Sequence, residues 1–492
     1  MKTKNIVTCA IACLLLFSQN LSSQTDILYF MQNVPIRNEL NPGFVPTQKV
    51  YITLFSSDYV GLMTNSFAPS DFVKSINGEM RTAFNKNGDS QSFLNSLKSE
   101  NYINAESKLN IFSLGFKLKK NYFSVGVSER IISSANVPYN LLWLLLEGLP
   151  KTNETKNLDL TSLAMDASTY LEPALGYTRE VLPNLAVGAK VKFLMGQMHG
   201  DISFSRLNLN GNYSSSTLTG AGALQFYTPF EIPAGDDGSP NMDSVKFSSK
   251  FFTKPCGSGV AFDLGAVYKP LENLTLSISL TDLGSLSWNK NNWTGTVKTQ
   301  TDFQNVSFKV NDDYDNASGG DSLKNAFSFS QKDTKTTSKL TSHTRIGVEY
   351  AILDNKIGFG VLYDYRKSTY YSEGIFTGSV NFRPFYALNA SIAYSQLNAK
   401  SGSIGAGLNF NILGMSIYAL SDYIPVSFAD SYVPKTNHIN VQAGMIFTFG
   451  RIKKENKKVQ DQKIKEKQTD NENSEQKQQE KTDENPAEQS TN

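Results

Sequence analysis

The residues of this chain that could do chemistry are few: three histidines, three cysteines and a scatter of carboxylates in 492 residues. His199, His343 and His438 are far apart, and none lies at metal-ligand spacing from another. Cys9 and Cys13 sit in the first two dozen residues, which leaves Cys256 alone with no partner for an internal disulfide. A single buried thiol is the reading that follows. The acidic run Asn311 to Asn316 could offer carboxylates to calcium, but it lacks the glycine and the distal glutamate of an EF-hand loop and reads as a solvated loop. No G-x-S-x-G, H-E-x-x-H, C-x-x-C or P-loop pattern occurs. A serine and a histidine brought together only in space would leave no trace in such a search. The sequence therefore predicts no enzyme, no cofactor and no metal. The net charge of +2 gives nucleic acid no electrostatic foothold.

The charges that remain are arranged. Arg130, Glu172, Lys190, Lys192, Asp263, Arg345, Glu349, Asp364, Arg366 and Arg383 each fall on the polar side of a segment that alternates apolar and polar residues. In Val260 to Tyr268 one face reads Val, Phe, Leu, Ala, Tyr, and Asp263 and Gly265 lie on the other. Leu274, Leu276, Ile278 and Leu280 alternate with Thr275, Ser277, Ser279 and Thr281, and Ile439 to Phe449 repeats the pattern. Period-two alternation over nine or more residues is what a tilted strand needs to cross a bilayer. No stretch of 18 uncharged apolar residues occurs between Val50 and Phe449 to make a spanning helix.

Fourteen such segments are predicted, near 48–56, 109–118, 121–131, 169–180, 184–198, 257–269, 273–284, 341–352, 356–366, 374–383, 386–397, 402–411, 414–422 and 438–449. Six of their links are tight: Lys119-Lys120, Val181-Leu182-Pro183, Pro270-Leu271-Glu272, Leu353-Asp354-Asn355, Pro384-Phe385 and Ile412-Leu413. They alternate with links of which 57–108, 132–168, 199–256 and 285–340 are long. Short turns at one end and long loops at the other mark an outer-membrane barrel. The predicted fold is thus all-β, a transmembrane antiparallel barrel of about 14 strands. Its even strand count places both termini in the periplasm, in the outer membrane of a Gram-negative bacterium.

The flanks complete the organisation. Lys2 and Lys4, the apolar run Ile6 to Phe17 and the polar stretch to Gln24 read as a signal peptide over 1–24 for the general secretory route. Residues 25–47 are expected to plug the lumen, anchored by Tyr29, Phe30, Val34, Asn41, Pro42 and Phe44; emptying it by deleting 28–44 is expected to make the barrel leak ions. The barrel with its long extracellular loops then occupies 48–450. Ten inward positions are glycine, among them Gly188, Gly265, Gly347, Gly360, Gly405 and Gly407, which suggests curvature or something held close. Pro138 to Gly148 reads as a short greasy helix packed in an outer loop. From Arg451 to Asn492, 20 of 42 residues are charged and none is aromatic, so a disordered periplasmic tail is expected.

Several stretches carry a resemblance: Asn41-Pro42-Gly43-Phe44-Val45-Pro46, Tyr170 to Met195, Gly257-Ser258-Gly259, Thr281-Asp282-Leu283-Gly284 followed by Trp288, and Asn381-Phe382-Arg383-Pro384. Together they resemble an uncharacterised family of outer-membrane barrels from Bacteroidetes-type bacteria. More distantly the chain is similar to the fatty-acid transporter (FadL) type, on strand count, an amino-terminal plug and an Asn-Pro element, with Gly43 where that pattern favours alanine. The resemblance implies passive uptake of a small hydrophobic or amphipathic compound, with outer-membrane lipid as the surrounding partner. The competing expectation is a scaffold whose outer loops or tail bind other envelope, periplasmic or secretion proteins. In either case the mixed lumenal charges Arg130, Lys190, Asp263, Arg345, Glu349, Asp364 and Arg366 are expected to pair with one another rather than to filter ions.

Overall fold

The computed structural model describes residues 26–452 except 243–248, 311–318, 333, 370–371, 398–400, 426–427 and 430–432. Alternating side chains build fourteen strands: β1 (Gln48–Thr64), β2 (Glu100–Leu118), β3 (Asn121–Pro138), β4 (Ala164–Leu182), β5 (Leu185–Gly211), β6 (Gly257–Leu271), β7 (Leu274–Trp288), β8 (Ser342–Ile352), β9 (Ile357–Lys367), β10 (Ser372–Phe385), β11 (Leu388–Leu397), β12 (Ser401–Ile412), β13 (Met415–Ile424) and β14 (His438–Arg451). Each pairs antiparallel with the next, and β14 pairs with β1. At that seam Thr64 N donates to Asn437 O at 2.9 Å and Asn437 Nδ2 donates back to Thr64 O at 3.0 Å. Closure gives each of the fourteen barrel strands a partner on both sides, the condition for strands to cross a bilayer. Gly450–Asn492 forms a second unit, and the tail prediction lies outside the described residues beyond 452.

The facing follows the alternation. Val260, Phe262, Leu264 and Tyr268 are exposed on the outside of β6, and Asp263 between them is 0% exposed. Val441, Met445 and Phe449 do the same on β14, with Asn440, Gln442 and Ile446 buried on its inner side. At β7 a bulge interrupts the rule. The register with β6 slips between Phe262 and Leu264, Asp282 takes a φ of 60°, and both Thr281 and Asp282 are buried inside.

All fourteen predicted strands are present, but several ends differ. The tight links sit one to two residues later than predicted at Pro183-Asn184, Glu272-Asn273, Tyr386-Ala387 and Leu413-Gly414. The last is a two-residue hairpin with φ of 51° and 80°, and the second left-handed position is one that glycine fills without strain. The larger difference is at the opposite end. β5 continues to Gly211, and Lys156–Asp159, Ser215–Tyr227, Trp293–Val297, Gln300–Gln304, Phe327–Gln331 and Thr336–Lys339 pair into an extension of the wall. The greasy segment is a helix, Tyr139–Glu147, and its Leu144 and Leu146 are buried in the apolar clusters of these long loops.

Candidate functional site

One ladder shows how the lumen is layered. Antiparallel pairing of β5 with β6 stacks Gly188↔Gly265, Lys190↔Asp263, Lys192↔Ala261, Leu194↔Gly259 and Gly196↔Gly257, all facing inward. Read from the tight-turn end, the rungs pass from glycine to charge to apolar residues.

The glycine layer faces the amino-terminal segment. Residues 26–46 form two short 3-10 turns, Ile27–Phe30 and Pro35–Glu39, with Pro35 opening the second. Ile27, Leu28, Tyr29, Phe30, Met31, Val34, Ile36, Leu40 and Phe44 join inward side chains of the wall, including Tyr51, Tyr122, Leu362, Tyr418 and Ile446, in one buried cluster. A Cβ on Gly188 would strike Pro42 O, and one on Gly265 would strike Asn41 Oδ1. At Gly347 and Gly360 it would come within 2.6 Å of the Tyr29 ring and 2.7 Å of the Phe30 ring. Gly188, Gly265, Gly347, Gly360, Gly405 and Gly407 are therefore contact surface for this segment, whereas the inward Gly115, Gly126, Gly176 and Gly444 face side chains of the wall.

Its polar groups are answered by the wall as well. Asn41 Nδ2 donates to Tyr29 Oη at 3.0 Å and to Ile278 O at 3.1 Å, and Gly43 N donates to Asn41 Oδ1 at 2.8 Å. Thr178 Oγ1 donates to Pro42 O at 2.6 Å, and Ser279 Oγ to Leu40 O at 2.9 Å. Pro42 thus supplies only a carbonyl and a fixed turn. Phe44 packs edge-on against Tyr29 at 4.9 Å, and the Arg37 guanidinium lies 3.6 Å over the Phe44 ring.

The charged layer is a set of ion pairs. Lys192 Nζ lies 2.9 Å from Asp263 and 2.6 Å from Asp282; Arg130 lies 2.8 Å from Glu106 and 3.5 Å from Asp282. Glu39 of the segment joins Lys190 at 2.6 Å and Lys108 at 3.0 Å. On the other wall Asp364 meets Arg366 at 2.9 Å and Arg345 at 3.5 Å, and Arg383 meets Glu349 at 2.7 Å. All seven predicted lumenal charges, Arg130, Lys190, Asp263, Arg345, Glu349, Asp364 and Arg366, are buried and engaged. Each buried charge needs such a partner, because desolvation without one costs several kcal/mol or more.

Sequence reasoning missed six members of this layer, two of which, Asp26 and Glu373, meet Arg366 at 3.5 Å and 3.9 Å. Glu106 and Lys108 fell outside because β2 was begun at 109, although the inward alternation Asn104, Glu106, Lys108, Asn110 was there to be read. Glu39 precedes the first strand, and Asp282 reaches the lumen only through the bulge.

The apolar layer holds Tyr170, Leu194, Ala261, Leu286 and Trp288. His199, expected at a strand end, lies well inside β5 and stacks on Trp288 at 4.8 Å with 6° between the rings. Ser168 Oγ is 3.0 Å from His199 Nδ1, and Asp166 addresses the same nitrogen at 4.0 Å. A serine and a carboxylate on one ring nitrogen cannot form the relay of a hydrolase, which needs them on opposite nitrogens. Among the described residues no group of three or more His, Cys, Asp or Glu side chains could hold a metal ion. Two voids lined by Glu39 of the segment have about 20 Å³ and 10 Å³ of space.

A family of unknown function, DUF5723, matches residues 42–422, most of the chain. No curated protein matches it. Among solved structures it is similar to the toluene transporter TbuX of Ralstonia pickettii, at 9% identity over 88% of this chain and 99% of that one, with a TM-score of 0.44. The toluene transporter TodX of Pseudomonas putida gives 9% identity, 87% and 94% coverage and a TM-score of 0.38. A FadL homologue of Pseudomonas aeruginosa gives 12%, 87%, 96% and 0.36. At these values the likeness says nothing of what this chain carries.

Proposed function

We propose that this chain, which belongs to the DUF5723 family, is an outer-membrane barrel for passive uptake of a small hydrophobic or amphipathic compound, its lumen closed by its own amino-terminal segment. The observation that carries this reading is the way residues 26–46 are held. They lie inside the wall without extending its sheet, seated on bare glycine backbone by side-chain contacts and a few hydrogen bonds. Such a filler can shift as a body while the wall stays intact, and Tyr29, Phe30, Asn41, Pro42 and Phe44 are the residues that a shift would move. On this passive reading the compound moves down its own gradient.

Phe44 gives the test. Phe44→Ala removes the ring that packs against Tyr29 and Arg37 and leaves the segment's backbone bonds in place. It should change the rate at which proteoliposomes take up an amphipathic fluorescent probe, with no rise in ion conductance. An unchanged rate would favour the second reading, a scaffold. That reading draws its support from the paired outer extension and its apolar cores, which exceed what a pore needs.

A further inference from the structure

Against β5 and β6 the segment occupies the tight-turn half of the lumen, and the inward faces of the same strands carry a separate buried apolar cluster towards their other ends, which the segment's cluster does not include. Trp288 is fully buried at the far end of β7. Its indole occupies a slot left by two glycines on adjacent strands: a Cβ on Gly196 would strike the ring, and one on Gly257 would come within 2.6 Å of it. The His199 imidazole stacks on the indole, and Nε1 donates to Ser338 Oγ at 2.9 Å. Stacking, glycine slot and hydrogen bond together fix one ring orientation, which no single contact would do. Beneath it Leu286, Leu194, Tyr170 and Ala261 continue the apolar surface down to the ion pairs of Arg130 and Lys192.

We infer that Trp288 is the permeability-determining residue of a second, outer barrier, in series with the amino-terminal segment and independent of it. An apolar constriction resists ions because water does not fill it, and it presents little obstacle to an apolar solute. As a selective outer half of an uptake route, it rests on the function proposed above; as a barrier to ions, it stands without it. The expected leak on deleting residues 28–44 then needs a second lesion.

Ion conductance in planar bilayers decides the matter, using the intact protein, the 28–44 deletion, Trp288→Gly and the two combined, each first shown to be folded by heat-modified gel mobility. The deletion alone and Trp288→Gly alone should stay near the intact level, and the combination should conduct at least tenfold more. Deletion combined with Trp288→Phe, which keeps a ring in the slot, should stay tight. A deletion that leaks as much as the combination would overturn the outer barrier, as would a folded combination that stays silent. Should the leak require both lesions while Phe44→Ala leaves probe uptake untouched, the series arrangement stands and the uptake reading falls.

Discussion

Asp422 holds the start of the buried segment: its carboxylate accepts the backbone N–H of Asp26 on Oδ2 at 2.8 Å, and that of the next residue, Ile27, on Oδ1 at 2.8 Å. Asn440 Nδ2 donates to the same carboxylate at 3.0 Å, so an acceptor on β13 is oriented by β14 and spent on the segment. Asp26, Ile27 and Asp422 are all buried.

Asp422→Ala should therefore strand two buried N–H groups, at about 1–3 kcal/mol each. Detached at this end, the segment should become a protease substrate in the folded barrel. Limited proteolysis with amino-terminal sequencing checks this, and a cleavage pattern identical to the parent's would count against the anchor.

On the lipid side, Ile278 is half exposed and faces outward from β7. Ile278→Arg should cost roughly 2–4 kcal/mol near the bilayer midplane. The sequence alone would have Ser277→Arg better tolerated. Ser277 Oγ, however, accepts from Tyr29 Oη at 3.0 Å, so arginine there should fail too, by expelling the segment. Ser277→Ala is the tolerated inward change. Urea titration of gel mobility separates the three.

The glycine seats predict a graded series. Gly265→Val drives a branched side chain into Asn41 and should cost about 1–3 kcal/mol by overpacking. Gly378→Ala is the control, because nothing lies within 4 Å of its Cβ position. Equal unfolding midpoints for the two would mean that the segment does not rest on the wall.

Cys256 offers a reagent test at the long-loop end of the wall. It is fully buried, its Sγ donates to Gln197 O at 3.2 Å, and burial pushes its thiol up to about 12. Only about one molecule in ten thousand carries the thiolate at pH 8, so maleimide should label the native barrel very slowly and the denatured chain fully. Rapid native labelling would show this end of the wall to be open.

Much of this architecture was legible in the sequence because a strand with one face in lipid writes its facing into every second residue. That rule alone placed Asp263 and Gly265 inside and Phe262 and Leu264 outside. It fails where the period breaks, and Asp282 is the example: an extra residue in β7 turns two neighbours inward together. Turn positions slipped for a related reason, since the hydrogen-bonded end of a hairpin depends on which residue accepts a left-handed backbone, as Gly414 does. The meeting of His199 with Trp288, and of Glu39 with Lys190, joins residues far apart in the chain. Periodicity carries no information about such encounters, whereas the excess of inward glycines did signal that something lay against them.

The seam between β1 and β14 reaches beyond mechanics to the fate of incomplete chains. Because the first and last strands are neighbours, a polypeptide that stops before His438 leaves β1 with one row of amides and carbonyls that neither lipid nor any other strand can satisfy. Nonsense mutations and stalled translation products therefore cannot yield a smaller working barrel. Completeness of synthesis is checked by the geometry of the product, and fragments are left to proteases and chaperones.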